Sequence, residues 1–234
     1  MDATARLVSY LAAHPEAVCN IVGFNPVADR LYHFNFTATN TELDADTFSD
    51  TLKFDLWIRE KLSAGNCRYG IGGYMEHRTI YARSAHFDTD DEPRRLHLGI
   101  DIWSEAGTPV YSPLTGKVHS FQNNDNFGDY GPTIILQHNL DGLMLFSLYG
   151  HLSRKNLDGL YIGKPIGSNE QIAALGNMDE NGHWPPHLHF QLMFDMEDRQ
   201  GDYPGVCRFS EKHIYRKNIP DPQLILRFLP AVND

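Results

Sequence analysis

The sequence predicts a mainly β fold with α additions: an antiparallel β-sandwich or open barrel behind an N-terminal α+β extension. Three observations carry this. Short apolar runs recur from about Leu96 onward at strand length. Glycine and proline turns punctuate them at close intervals, as in sandwiches and open barrels. Helical periodicity is concentrated in the first 90 residues. The division expected is an extension over residues 1–90 packing on a core over 91–234, the latter ending in a C-terminal tail.

Ala3 to His14 reads as a short amphipathic helix, with Leu7, Tyr10 and Leu11 on one side. Asp46 to Ser63 reads as a second helix: Phe48, Leu52 and Leu56 recur at four-residue steps, and Gly65 ends the pattern. Gly72 to Tyr81 reads as a glycine-rich turn entering a strand. Thr108–Tyr111 and Lys117–Phe121 flank the turn Pro-Leu-Thr-Gly. Thr133–His138 and Leu143–Leu148 flank Asn-Leu-Asp-Gly, a hairpin signal. Gln171–Leu175 and His187–Phe194 complete the strands. Pro220–Phe228 is a capping helix or strand.

The formal net charge of −10 argues against nucleic-acid binding and against docking on anionic lipid. No run approaches the ~18 apolar residues of a membrane span, and no secretory signal is visible at the N-terminus. Cys19, Cys67 and Cys207 match no thiolate metal motif or redox pair and read as reduced thiols. The expectation is a cytoplasmic protein with neither nucleic-acid nor membrane partner. The twelve histidines are about twice the usual share.

Four of those histidines fall in three separated segments: Leu96–Ile102, Tyr149–Ser153 and Pro185–Phe190. In the first, His97, Gly99 and Asp101 alternate with leucines and isoleucines, so they share one strand face. On a flat strand His97 and Asp101 would lie about 13 Å apart, too far for one ion. The chain must bend between them, and Gly99 sits at the midpoint. In the third segment His187 and His189 face the same way, so one can bind metal while the other faces substrate. His151 ends a strand after Tyr149-Gly150. Taken singly, a His-x-x-x-Asp pair or a lone strand-end histidine is an ordinary structural feature. Together the segments offer two histidines and a carboxylate for a catalytic metal with an open position, plus two histidines for proton transfer. The His-Glu-x-x-His and Gly-x-Ser-x-Gly signatures are absent.

His-Leu-Gly-Ile-Asp-Ile, then Gly-Thr-Pro-Val-Tyr-Ser-Pro-Leu-Thr-Gly-Lys-Val, Tyr-Gly-His-Leu-Ser and His-Leu-His-Phe together resemble the lysostaphin-type zinc metallopeptidases, over Arg95 to Phe194. The resemblance implies the duplicated hybrid motif, an antiparallel β-fold with a groove over the metal. It implies Zn2+ bound by His97, Asp101 and His189, with His151 and His187 catalytic. The activity implied is endopeptidase or amidohydrolase cleavage of a peptide or muropeptide-like substrate by metal-activated water. The chain departs from the family pattern in the bulkier loop Gly-Asn-Met-Asp-Glu-Asn-Gly-His-Trp-Pro-Pro (176–186) and in lacking a visible export signal. These resemble an atypical, non-secreted branch.

Two other readings remain. One is a non-catalytic binding or regulatory module that keeps the fold and the zinc. The other is a cupin-like metal enzyme, whose nearby glutamate is misplaced here, since the first acidic residues after His189 are Asp195 and Glu197. Elsewhere, Asp88–Glu92 reads as a solvated acidic loop. Glu76 and Arg78 read as an ion pair or as groove lining. His119 and His138 read as structural, and His183 as a loop residue within reach of substrate.

Overall fold

A computed structural model describes residues 2–78, 92–226 and 228. In chain order its elements are α1 (Ala3–Ala13), β1 (Leu31–His33), α2 (Ala45–Ser49), α3 (Thr51–Ala64), β2 (Tyr69–Gly72), β3 (Leu96–His97), β4 (Ile100–Trp103), β5 (Pro109–Tyr111), β6 (Gly116–Asn124), β7 (Gly131–Leu140), β8 (Leu143–Gly150), β9 (Pro165–Ile166), β10 (Gln171–Ala174), β11 (His187–Met193), β12 (Val206–Cys207), α4 (Lys212–Asn218) and α5 (Gln223–Leu226). Of the predicted strand entered at Gly72 and the acidic run at Asp88, residues 79–91 lie outside the described residues.

The main sheet runs β1-β2-β4-β11-β8-β7-β6-β9, open at both ends, with two-stranded ribbons β10-β5 and β12-β3 beside it. The fold is mainly β, as expected, and among the described residues every strand pairing is antiparallel except β1 with β2. That parallel pair makes the sheet mixed. It comes from the first 90 residues, which add two strands to the β4 edge instead of only covering the core. The hairpin at Asn-Leu-Asp-Gly forms: β7 meets β8 at Leu140 and Leu143. Asp141 (φ 51°) and Gly142 (φ 83°) both have positive φ, as a two-residue type I′ turn demands. The Pro-Leu-Thr-Gly turn instead sends β5 and β6 to different partners, β10 and β7.

The predicted helix over Asp46–Ser63 is broken at Asp50, whose carboxylate accepts from the backbone N–H groups of Leu52 and Lys53 and caps α3. The four-residue period is real, but the buried side of α3 carries Phe54, Asp55 and Ile58. Leu52 and Leu56 are 69% and 57% exposed. In α1, Leu7 and Leu11 are buried as the pattern required. Among the described residues after Pro220, the one element is the short helix α5. All three cysteines are free thiols.

Three apolar clusters flank the sheet. The largest joins Ile100, Ile102, Leu188, Phe190 and Leu192 to Leu7 and Leu11 of α1. A second, aromatic cluster packs Phe34, Phe36 and Phe54 of the N-terminal region against Trp103 and Trp184. A third holds Leu96 and Leu98 with Tyr130 and Tyr203.

His138 is structural, as expected. Its Nδ1–H donates to Thr115 O at 2.9 Å, while Nε2 meets Ser147 Oγ at 2.7 Å. Burial pushes this imidazole down to about 4. Between an ordinary pKa near 6.5 and about 4, the unfolded chain takes up a proton that the folded protein refuses, so stability falls as pH falls through that window. The full penalty below the window is about 3 kcal/mol. Urea unfolding at pH 7 and pH 4 should show a smaller acid loss in His138→Gln than in the wild type. Equal losses would contradict this.

Candidate metal centre

The site is built where β4 and β11 pair in antiparallel register. His189 stands directly opposite Asp101, and His187 opposite Trp103. Gly150 pairs with His189 from the other side, which brings the end of β8, and hence His151, to the same place. His151 follows Gly150 with φ 61°, a left-handed conformation that costs a non-glycine residue about 1 kcal/mol or more. Its backbone N–H donates to Tyr130 O at 2.7 Å, and its O accepts from Gly176 N–H at 2.9 Å, which holds that turn.

The break required between His97 and Asp101 is present. The run divides into β3, paired with β12, and β4, in the main sheet, with Leu98 and Gly99 between them. His97 Nε2 thereby comes within 3.3 Å of Asp101 Oδ1. Gly99 serves a second need. A Cβ there would lie 2.6 Å from His189 Cε1 and Nε2 and 2.7 Å from Phe190 O, so only glycine lets His189 lie across the bend.

His97 Nε2 and His189 Nδ1 are 3.0 Å apart, and His189 Nδ1 is 3.1 Å from Asp101 Oδ1. The outward nitrogens fix the tautomers. His97 Nδ1–H donates to Gly73 O at 2.8 Å. His189 Nε2–H points to Gln191 Oε1 at 3.1 Å, and Gln191 is itself held by its amide donating to Pro204 O. Both inward nitrogens therefore carry lone pairs, aimed at each other and at a carboxylate oxygen. Three lone pairs at this spacing repel unless a cation lies among them. A tetrahedral ion with ligand bonds of about 2.1 Å sets its ligands about 3.4 Å apart, close to the spacing here. The donor set of two imidazoles and one carboxylate suits a divalent ion such as zinc.

His187 and His151 complete the cluster, with ring centroids 4.1 Å apart. His187 Nδ1–H donates to Pro185 O and His151 Nδ1–H to Asn181 O, at 2.8 and 2.7 Å. Each keeps Nε2 for the cavity, and His187 Nε2 is 4.0 Å from Asp101 Oδ1. Trp103 stacks on His187 at 4.0 Å and 17°.

Burial pushes His97 and His187 each down to about 4, and His151 well below the ordinary histidine range. Burial alone would raise the Asp101 carboxyl, but His97 and the Arg78 guanidinium outweigh it and hold it well below the usual carboxylate range. His97, His151 and His187 are thus poised as neutral imidazoles near an ionised carboxylate, the protonation state a metal site requires. These groups open on a cavity of about 210 Å3, walled by Trp103, Tyr130, Trp184, Tyr203 and three arginines, Arg78, Arg94 and Arg199.

All five predicted site residues thus meet in one place. Glu76 and Arg78 form the expected ion pair, 2.8 Å long, and Arg78 also borders the cavity. His183 is exposed, stacks on Phe127 and does not line the cavity. His119 is half-buried on β6, away from the site, against Ser120 and Phe146. Sequence reasoning missed Trp103 and Gln191, yet extending the same period-two faces by one step (97, 99, 101, 103 and 187, 189, 191) reaches both. Tyr130, Asn181 and Gly73 carry no such signal.

Residues 95–201 match the model of peptidase family M23. Among solved structures, the chain is similar to the catalytic domain of the antimicrobial peptidase lysostaphin from Staphylococcus simulans, at 27% identity over 57% of this chain and 80% of that one, with a TM-score of 0.39. It is also similar to a zinc-containing peptidase from Vibrio cholerae, at 28% identity over 42% of this chain and 27% of that one, with a TM-score of 0.34. No curated protein matches the chain. The segment that holds His97, Asp101, His151, His187 and His189 is therefore a domain of peptidase family M23, the lysostaphin-type peptidases.

Proposed function

We propose that the chain is a zinc-dependent metallohydrolase, an endopeptidase or amidohydrolase that cleaves a peptide bond in a peptide or muropeptide-like substrate. The observation that carries this is the convergence of three inward lone pairs, from His97 Nε2, Asp101 Oδ1 and His189 Nδ1, beside two further buried imidazoles in one cavity. His97, Asp101 and His189 would hold the ion. Zinc bound there would supply Lewis-acid polarisation of the scissile carbonyl and acidify a water at its open position.

The chain's own groups do the rest. His151 and His187 are fixed by carbonyls through Nδ1, so each presents Nε2 in its neutral form as a proton acceptor. One takes the proton of the attacking water and returns it to the leaving amine. The other, its Nε2 also a bare acceptor with its ring 4.1 Å from the first, accepts a hydrogen bond from the water and orients it. The stack of Trp103 on His187 keeps that ring from turning away. Tyr130, its hydroxyl 3.4 Å from His189 Nε2, walls the cavity against bulk water.

The test is metal analysis of the purified protein together with hydrolysis of a panel of glycyl and D-alanyl peptides. His151→Ala should keep stoichiometric zinc while turnover falls about 10²- to 10⁴-fold, the usual worth of a general acid–base group. Zinc with peptide affinity but no turnover by the wild type would favour a binding module. Loss of zinc from His151→Ala would make His151 a ligand.

A further inference from the structure

The N-terminal region reaches further into this centre than the family segment explains. Arg78 is buried, at 1% exposure, and its Nη1 donates to Asp101 Oδ2. Its Nε donates to Glu76 Oε2 at 2.8 Å. Glu76 Oε1 in turn accepts from the backbone N–H of Phe36 at 3.1 Å, and the guanidinium lies 5.1 Å over the Phe36 ring. A short antiparallel ladder sets these groups in place. Met75 N–H donates to His97 O, His97 N–H to Glu76 O, and Arg78 N–H to Arg95 O, all at 2.8 to 2.9 Å. Gly72 pairs with Asp101 across β2 and β4, and a Cβ at Gly72 would lie 2.6 Å from Arg78 Nη2. The glycine is what lets the guanidinium pass. From the same stretch, Gly73 O fixes the His97 ring.

Resting on the reading of positions 97, 101 and 189 as a metal centre, we propose that Arg78, braced by Glu76, is a positioning residue for Asp101. By holding Oδ2 it turns the carboxylate so that Oδ1 alone faces His97 and His189, and it makes residues 72–78 a working part of the metal site. A buried ion pair adds little to stability on its own, because desolvation cancels most of its attraction. Its value here is orientation: outer partners of metal ligands are typically worth 10- to 100-fold in metal affinity. A guanidinium can hold two carboxylates at once through its planar fork, and an ammonium, as a point charge, does this less well.

The test measures zinc affinity by chelator competition, and the visible spectrum of the cobalt-substituted protein, for wild type, Arg78→Met, Arg78→Lys and Glu76→Gln. Thermal melts of the metal-free proteins report folding separately. Arg78→Met should bind zinc about 10- to 100-fold more weakly and show altered cobalt bands, since Asp101 is then free to offer both oxygens. Arg78→Lys should recover part of the affinity, and Glu76→Gln should shift both readouts the same way by less. Should Arg78→Met fail to fold, the Lys and Gln variants decide. Unchanged affinity and spectrum in the folded variants, with only the melting temperature lowered, would reduce Arg78 to a structural ion pair and overturn the proposal. Tighter binding would do so too, by showing that the cation only repels the metal. A wild type that binds no zinc or cobalt would remove the metal-centre reading itself, a failure distinct from either.

Discussion

Replacing His189 with alanine is expected to abolish metal retention and turnover together. In the proposed metal centre, His189 is the ligand with the least redundancy. Its Nδ1 is 3.0 Å from His97 Nε2 and 3.1 Å from Asp101 Oδ1, so its loss opens one side of the triad. The neighbouring imidazole cannot substitute, because His187 is pinned by Pro185 O and stacked on Trp103 with its Nε2 4.0 Å from Asp101 Oδ1. Turnover should fall ~10³-fold or more, on the scale of losing a principal catalytic group. Thermal melts give a readout independent of catalysis. Added zinc should raise the melting temperature of the wild type, since a ligand bound only by the folded state stabilises it, and should leave that of His189→Ala unmoved. His119→Ala, on β6 and outside the cavity, serves as the control and should behave as wild type. A His189→Ala protein that keeps its zinc and its activity would remove this residue from the ligand set.

The contrast between His189 and Arg78 shows what the sequence does and does not make legible. His97, Asp101, His187 and His189 sit on strands, where the two-residue period assigns faces without knowledge of partners. The rise of about 3.3 Å per strand residue already demands a bend at Gly99, between β3 and β4, if His97 and Asp101 are to meet. The groups that hold these side chains are another matter. Gly73 O reaches His97, Arg78 reaches Asp101 and Asn181 O reaches His151 only through tertiary pairing. Nothing in the local pattern around Gly73 or Asn181 records that pairing. The same limit explains the helices. Four-residue spacing of Phe48, Leu52 and Leu56 gives the period correctly, yet the aromatic cluster at Phe34, Phe36 and Trp103 draws in Phe54 and Ile58. Asp50 then competes for backbone donors and divides the helix in two, as short polar side chains do at helix starts.

That aromatic cluster carries the largest expected effect on stability. Trp103→Ala should destabilise the protein by about 3–5 kcal/mol, the usual cost of emptying a large aromatic site. The indole is 1% exposed. It meets Phe36 at 5.5 Å, Phe54 at 5.7 Å and Phe34 at 6.1 Å on one side, and His187 at 4.0 Å on the other. Its removal therefore detaches the N-terminal aromatic residues from β4 and unseats a site imidazole at once. Trp103→Phe separates the two consequences. The indole Nε1 finds no hydrogen-bond acceptor among the described residues, so phenylalanine forfeits no bond while keeping most of the packing. Urea unfolding should place Trp103→Phe much nearer the wild type than Trp103→Ala. Turnover of the folded proteins should follow the same order, because a ring stacked on His187 is what holds its Nε2 toward the cavity. If Trp103→Ala unfolds at the wild-type urea concentration, Phe34, Phe36 and Phe54 are not anchored to β4 through Trp103.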